Sequence, residues 1–519
     1  MAKREIEFNK NKRYSDLWCE CSADFVLPDF NTDVRKVLLF DATAYPSSAF
    51  PSADYLECTG VVTFELVYLN FDGEVESTSF NGDYNFKVKC GSDNFVDSLV
   101  DTKVSGVALR LLSPRKISAK ANLSSTVEVI TKDLQSTEGT TLEEVLAPEL
   151  CEANVKIRDT KFSEVFEREY AESVARFDDK TSDEVAVLYT CVEPVVGQVE
   201  LEDSTVKVRG NLKATMLMKT DDSPMYKLEH TFPIDESIKY EPLSLESDVT
   251  ARVEVASVSA SVRGDDSGVD VILNVICEVR LLDEANKEYS VLTDAYLCSC
   301  ESENVYESFG YSEYVKMVED VRPYTEKVPV GGLEYERLRD VMFARATPKI
   351  EGCEIVDDGV RIYGEMKVAA VATEIKDDDE VEYTSLKFST KFEENVNLDC
   401  QNCHIMEVLP CISVSDVSCE VDSNCVYIKL NEHISAKVIS PKKLEVLASA
   451  NAKENVKFEK NPSRITVYYP QGGDTLYSVA KAFHTTKQKL LLDNSIALAT
   501  STDAGGEVSL SGVKSLIIT

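Results

Sequence analysis

The sequence predicts a mainly β protein. Three tandem antiparallel, sandwich-like β modules with linking helices are expected, followed by a small C-terminal β-α-α-β domain. Three observations predict it. First, one frame recurs three times: Val37-Leu38 through Gly60, Val187-Leu188 through Gly210, and Val341-Met342 through Gly364. In each, the valine lies 23 residues before the glycine, and the glycines are 150 and 154 residues apart. That is too far for a short solenoid repeat and right for tandem domains. Second, apolar residues around each glycine alternate with period two. Third, the last 56 residues change to a short strand followed by a helical apolar stripe.

The alternating faces are Leu56, Cys58, Gly60, Val62, Phe64, Leu66 and Tyr68, then Val206, Val208, Gly210, Leu212, Ala214, Met216 and Met218, then Val360, Ile362, Gly364, Met366, Val368, Ala370 and Ala372. Side chains alternate across a strand, so each face predicts one long half-buried strand. A glycine at the same place in all three predicts a bulge or a close backbone approach. Polar turns follow: Asn70-Phe71-Asp72-Gly73, Thr220 to Pro224, and Lys376-Asp377-Asp378-Asp379-Glu380. A return strand then carries Phe80, Phe232 or Phe388, as in a hairpin. Further alternating runs (Val104 to Val129, Val253 to Leu282, Ile412 to Val438) close each module.

Between modules the spacing of Phe162, Val165, Phe166, Tyr170, Val174 and Phe177 predicts an amphipathic helix over about 161–177, and Tyr311 to Val321 a second. Residues 446–463, polar and ending near Pro462, read as a linker. The expected division is 1–135, 136–292, 293–445, the linker 446–463, and 464–519. In the last segment Ile465 to Tyr469 is a strand, Gly472-Gly473-Asp474-Thr475 a turn and helix start, and Leu476, Val479, Ala480 and Phe483 a helical stripe. A second helix (Lys487 to Asp493) and a strand (Ser515 to Ile518) complete it.

Charge narrows the function. The chain has 519 residues, with 91 Asp+Glu against 55 Lys+Arg, a net −36, yet 43% are hydrophobic. The acidity therefore belongs to folded surfaces, and phosphate backbones and anionic lipid should be repelled, so no nucleic-acid partner is expected. Residues 464–519 carry +1 and the first 463 carry −37. No secretory signal and no transmembrane segment are legible, so the protein is expected to stay inside the cell. Its 15 cysteines are then expected as small, reduced, buried hydrophobes.

The stretch Gly473-Asp474-Thr475-Leu476-Tyr477-Ser478-Val479-Ala480, with Thr485-Thr486, Leu490-Leu491 and Asn494, resembles the LysM family. It departs from that family at Gly472, where proline is usual, in a long Ser/Gly-rich connection after Asn494, and at the closing Thr519. Asp24 to Leu38 (DFVLPDFNTDVRKVL) resembles the opening of SPOCS domains. Together these are similar to the SPOCS/LysM spore coat morphogenetic proteins of clostridia. That resemblance implies a non-enzymatic assembly role in the mother cell, at the surface of the forespore. It implies a LysM that docks the coat morphogenetic ATPase, and further coat proteins as partners. A LysM that binds peptidoglycan is the alternative. The positions matching the LysM groove are Gly473, Asp474, Thr475, Leu476, Asn494, Ser495 and Ile496. The plainer role of Asp474, Thr475 and Asn494 is to cap helices and hold turns.

Other constellations are weaker. Cys400-Gln401-Asn402-Cys403-His404 matches a haem-attachment pattern, but it stands alone and without an export signal. Those residues with Cys411, Cys419 and Cys425 offer one close pair where structural zinc wants two. Cys19 and Cys21, like Cys298 and Cys300, would share a strand face, and Trp18 reads as a core residue. Asp377 to Glu380 reads as a solvated turn. No nucleophile elbow, Walker A loop or zinc-protease motif occurs, and only four histidines are present. No catalytic residue, metal or cofactor is therefore expected.

Overall fold

The computed structural model describes all residues except 1–3, 47, 91–93, 138–147, 266, 330–336, 357–358, 377–379, 399–405, 423–424, 459–464 and 495–507, and the side chains of 454–457. Among the described residues the chain is mainly β, with two short helices near its end. Cys400, Cys403, His404 and the acidic turn 377–379 fall outside the described residues.

The first strands are β1 (Arg4–Val26), β2 (Lys36–Ala44), β3 (Ser48–Ser52), β4 (Tyr55–Leu69), β5 (Val75–Lys89), β6 (Phe95–Ser113) and β7 (Lys116–Thr137). One antiparallel sheet has the order β1–β7–β6; in the other, β4 carries β2 and β3 on one side and β5 on the other. Next come β8 (Glu149–Phe162), β9 (Phe166–Phe177), β10 (Val185–Glu202), β11 (Thr205–Thr220), β12 (Tyr226–Lys239), β13 (Asp248–Asp265) and β14 (Gly268–Tyr296). They form β10–β11–β12 and a sheet in which β13, β8 and β9 all pair with β14. Then β15 (Cys300–Pro329), β16 (Leu338–Val356), β17 (Gly359–Ile375), β18 (Val381–Asn397), β19 (Glu407–Asp422) and β20 (Cys425–Lys457) form β16–β17–β18 and β15–β20–β19.

The two sheets of each set face each other across an apolar core. Val62, Phe64 and Leu66 pack with Ile117, Ala119 and Leu123. Val208, Leu212 and Met216 pack with Leu273, Val275 and Cys277. Ile362, Met366 and Val368 pack with Ile428, Ala436 and Val438. The expected alternating faces are these buried faces, and each fully buried large side chain contributes about 1.5–3 kcal/mol. Burial pushes the thiols of Cys58 and Cys277 up to about 12.

The recurring glycines have a physical reason. A Cβ at Gly210 would stand 2.3 Å from the Val195 carbonyl oxygen, and one at Gly364 would stand 2.1 Å from that of Lys349. Both places adjoin a bulge in the neighbouring strand, between Val196 and Gln198 and between Ile350 and Gly352. At Gly60 the obstacle is the ring of Tyr84. The return-strand phenylalanines are not all equivalent. Phe80 and Phe388 face Phe64 and Val368, four residues past the glycine, whereas Phe232 faces Leu212, two past it.

The two expected helices are strands. Residues 161–162 and 166–177 belong to β8 and β9, both paired with β14, and Tyr311 to Val321 lies within β15, paired with β20. The chain breaks out of the ladder at 163–165 and the register shifts again near Val174 and between Tyr314 and Lys316. Each interruption flips the buried phase of a period-two pattern, and spliced phases imitate a 3.6 period. Residues 446–457, expected as linker, continue β20, with Val446, Leu447 and Ala450 buried.

The three sets meet at several places, among them a cluster of Phe8, Val155, Val291, Phe309 and Val446 and two further joints. In the first, Leu39, Tyr189 and Phe343, each 21 residues before its glycine, join Val67, Leu217 and Val371, each seven after, in one apolar cluster. The Tyr189 hydroxyl donates to Asp41 at 2.6 Å, and Arg345 pairs with the same carboxylate. Burial, with the Asp41 charge adding to it, pushes the nearby Glu65 carboxyl up to about 8, against the opposing pull of Arg345. In the second, Arg158 grips Glu284 with two hydrogen bonds of 2.7 and 2.6 Å and reaches Glu128 at 2.7 Å. Lys437 donates to Glu284 at 2.6 Å, and the Thr160 hydroxyl to the same carboxylate at 2.7 Å. All five residues are buried, and the two cations balance the two carboxylates.

Candidate functional site

The C-terminal unit contains β21 (Thr466–Tyr468), α1 (Leu476–Ala482), α2 (Lys487–Asn494) and β22 (Leu516–Ile518). β21 and β22 pair antiparallel, and Leu516, Ile518 and Tyr468 turn inward onto Leu476, Val479, Ala480 and Leu490. The order is the one expected.

Most of the expected groove residues hold the chain together. Gly473 has φ of +96°, a left-handed turn that favours glycine. Asp474 accepts from the Tyr468 hydroxyl at 2.8 Å and from the Gln471 backbone N–H at 2.7 Å. Thr475 caps α1: its hydroxyl accepts from the Ser478 N–H at 3.1 Å, and the Ser478 hydroxyl accepts from the Thr475 N–H at 2.9 Å. Leu476 is buried, and its N–H donates to the Val508 carbonyl at 2.8 Å. Asn494 acts as a substitute strand partner. Its amide donates to the Leu490 and Ile517 carbonyls at 2.9 and 2.7 Å, and its oxygen accepts from the Ile517 N–H at 2.5 Å. Ser495 and Ile496 lie outside the described residues.

What the unit leaves open is apolar. Ile465, Val467 and Tyr469 are 70%, 53% and 67% exposed, and Ile517, paired with Val467, is 44% exposed. They form an outward strip on the two-stranded sheet, where polar side chains would be ordinary. Sequence reasoning placed these residues on a strand but named none of them as functional. The signal was available: in Ile465-Thr466-Val467-Tyr468-Tyr469 both phases are largely apolar, and a small sheet can bury only one.

The opposite side of the unit rests on the preceding strands. Tyr296 at the end of β14 donates to the Thr485 carbonyl at 2.7 Å and sets its ring edge-on to Tyr477 at 5.2 Å. Lys481 pairs with Asp294, and Lys487 donates to the Leu150 carbonyl at 2.8 Å.

The remaining singled-out residues separate. Cys19 and Cys21 share the inward face of β1, with Cys21 buried, whereas Cys298 precedes β15 and shares no strand with Cys300. Cys411 is exposed beside the Lys103 ammonium, 3.6 Å away. Trp18 is 56% exposed, against the expectation that it is core. Among the described residues no group of three or more His, Cys, Asp and Glu side chains is placed to hold a metal ion, and no helix is long and apolar enough to cross a membrane. No protein family, curated protein or solved structure matches the chain.

Proposed function

We propose that the chain is a non-enzymatic spore coat assembly scaffold of the SPOCS/LysM kind. On this reading the three sets of strands are tandem SPOCS modules, and the C-terminal unit is a LysM domain that docks the coat morphogenetic ATPase at the forespore surface in the mother cell. The supporting observation is the exposed strip of Ile465, Val467, Tyr469 and Ile517. An apolar strip of this kind suits a protein face. The polar side chains of the expected groove, Asp474 and Asn494, are engaged within the unit itself.

The test uses the full chain, purified coat ATPase and insoluble peptidoglycan. Wild type should co-purify with the ATPase, and Val467→Lys with Ile517→Glu, an opposite-charge cross-strand pair, should weaken that binding at least about tenfold, or roughly 1.4 kcal/mol. Both positions are exposed, so circular dichroism should be unchanged. Pelleting with peptidoglycan and no ATPase binding by wild type would replace this reading with the glycan-binding alternative.

A further inference from the structure

The bulge in β1 decides where the only tryptophan goes. Before it, Ile6, Phe8 and Tyr14 face inward; after it, Leu17, Cys19, Cys21 and Ala23 do. The register shifts between Tyr14 and Leu17, and Asp16 takes φ of +56°. A non-glycine residue in that region is strained, and such strain and such bulges are typical where a side chain must be re-aimed. Here the re-aimed side chain is Trp18, which unbroken alternation would have buried.

Trp18 stands in an open cleft of about 500 Å³ between the first and third sets of strands, within the size range of ligand sites. Lys349 and Lys367 line it from β16 and β17, and Glu20, Ser105 and Asn122 from the other side. The Lys349 ammonium is 5.9 Å from the indole centre, and Lys367 donates to the Ser105 carbonyl at 3.0 Å. Among the described residues neither lysine has a carboxylate within 4.0 Å; Glu365, opposite Lys349 in the β16–β17 ladder, is also opposite Lys391 of β18. The one acid in the cleft, Glu20, is already matched by Lys120 at 2.8 Å. In a chain of net −36, the cleft is thus a local cationic site.

We infer that this cleft binds an anionic pyranose. The indole is the one aromatic plate in walls that also hold Cys19 and Gly106 but no large aliphatic side chain. A sugar ring presents a C–H face to such a plate; its rim hydroxyls meet the Asn122 amide and donate to the Ser105 oxygen, whose own hydrogen goes to the Asn122 backbone carbonyl at 3.0 Å. An apolar peptide anchor would need aliphatic side chains around it, and none lines the cleft. Lys349 and Lys367 supply the charge for a carboxylate on the ring. The inference is independent of the reading of the C-terminal unit.

The chain carries its own probe, since Trp18 is the sole tryptophan. Full-length protein is titrated with D-glucuronate and N-acetylmuramate, and with D-glucose and N-acetylglucosamine as neutral counterparts, following tryptophan emission. The expected result is a saturable change with the anionic sugars at about tenfold lower concentration than with the neutral ones. Lys349→Gln should remove that difference while leaving circular dichroism unchanged. Lys367→Gln should act in the same direction, but Lys367 also ties the two sets of strands together, so Lys349→Gln is the deciding variant. No emission change with either anionic sugar, equal responses to charged and neutral sugars, or an undiminished preference in Lys349→Gln each overturns the inference.

Discussion

Two of the contacts that join the three sets of strands are unlike. At Leu39, Tyr189, Phe343 and Leu217 the joint is apolar and built from matching positions of the recurring frame. At Arg158, Glu284, Glu128 and Lys437 it is ionic and fully buried. The difference teaches what each can do. Apolar contacts are non-directional and tolerate small shifts. A buried charge network demands one geometry, because any misplaced partner leaves an unpaired charge out of water. The apolar joint thus supplies cohesion, and the ionic joint selects one arrangement of the sets.

The largest expected effect comes from breaking the ionic joint at one point. Arg158→Met should cost about 3–5 kcal/mol, read from urea unfolding of the full chain, because two buried carboxylates lose their main partner. In the native protein, hydrogen bonds and charge from Arg158 outweigh burial and hold the Glu284 carboxyl low. Its stabilising contribution is present above the ordinary carboxylate range and lost only as pH falls through the depressed value. Without Arg158 the carboxyl titrates upward, so the variant should regain stability as pH drops from 8 to 5.

Breaking the apolar joint sharpens the contrast. Leu217→Ala should cost about 2–5 kcal/mol and leave a cavity. Its loss should be the same at pH 5 and pH 8. A loss that varied with pH in Leu217→Ala as it does in Arg158→Met would remove the distinction between the joints.

A third effect, read only as a pH dependence, belongs to the polar border of the apolar joint. Glu65, raised to about 8, is protonated in the native state at pH values where the unfolded chain ionises. Folding therefore takes up a proton there, and stability is full below the ordinary carboxylate range and falls as pH rises towards 8. Glu65→Gln should flatten that fall, shown by a smaller difference in urea midpoint between pH 5 and pH 8 than in wild type.

Much of the β architecture was legible because alternation is local. The faces through Gly60, Gly210 and Gly364 are the buried ones, and the glycines do mark close approach. The stretches in β8, β9 and β15 were misread as helices because breaks and bulges, at 163–165, Val174 and Tyr314 to Lys316, shift the phase without altering composition. The same effect hid the exposure of Trp18. The ionic joint left no local trace, since Glu128, Arg158, Glu284 and Lys437 are far apart in sequence and each reads as a surface residue. At the C-terminal unit, the turn and caps were visible in Gly473 to Ser478. The strip on β21 was not, since which phase of a short strand faces out depends on the helices behind it.

The perch of the C-terminal unit has a mechanical meaning. β20 ends at Lys457, opposite Cys300 at the start of β15, so tension drawn through that end would peel the ladder one pair at a time. The unit also grips the strand ends at Tyr296, Asp294 and Leu150, and those contacts are strained together. A tug on the unit is shared across this anchorage before the first rung of β20 opens. It works as a strain relief does on a cable, keeping pull at the tip from unzipping the longest strand in the molecule.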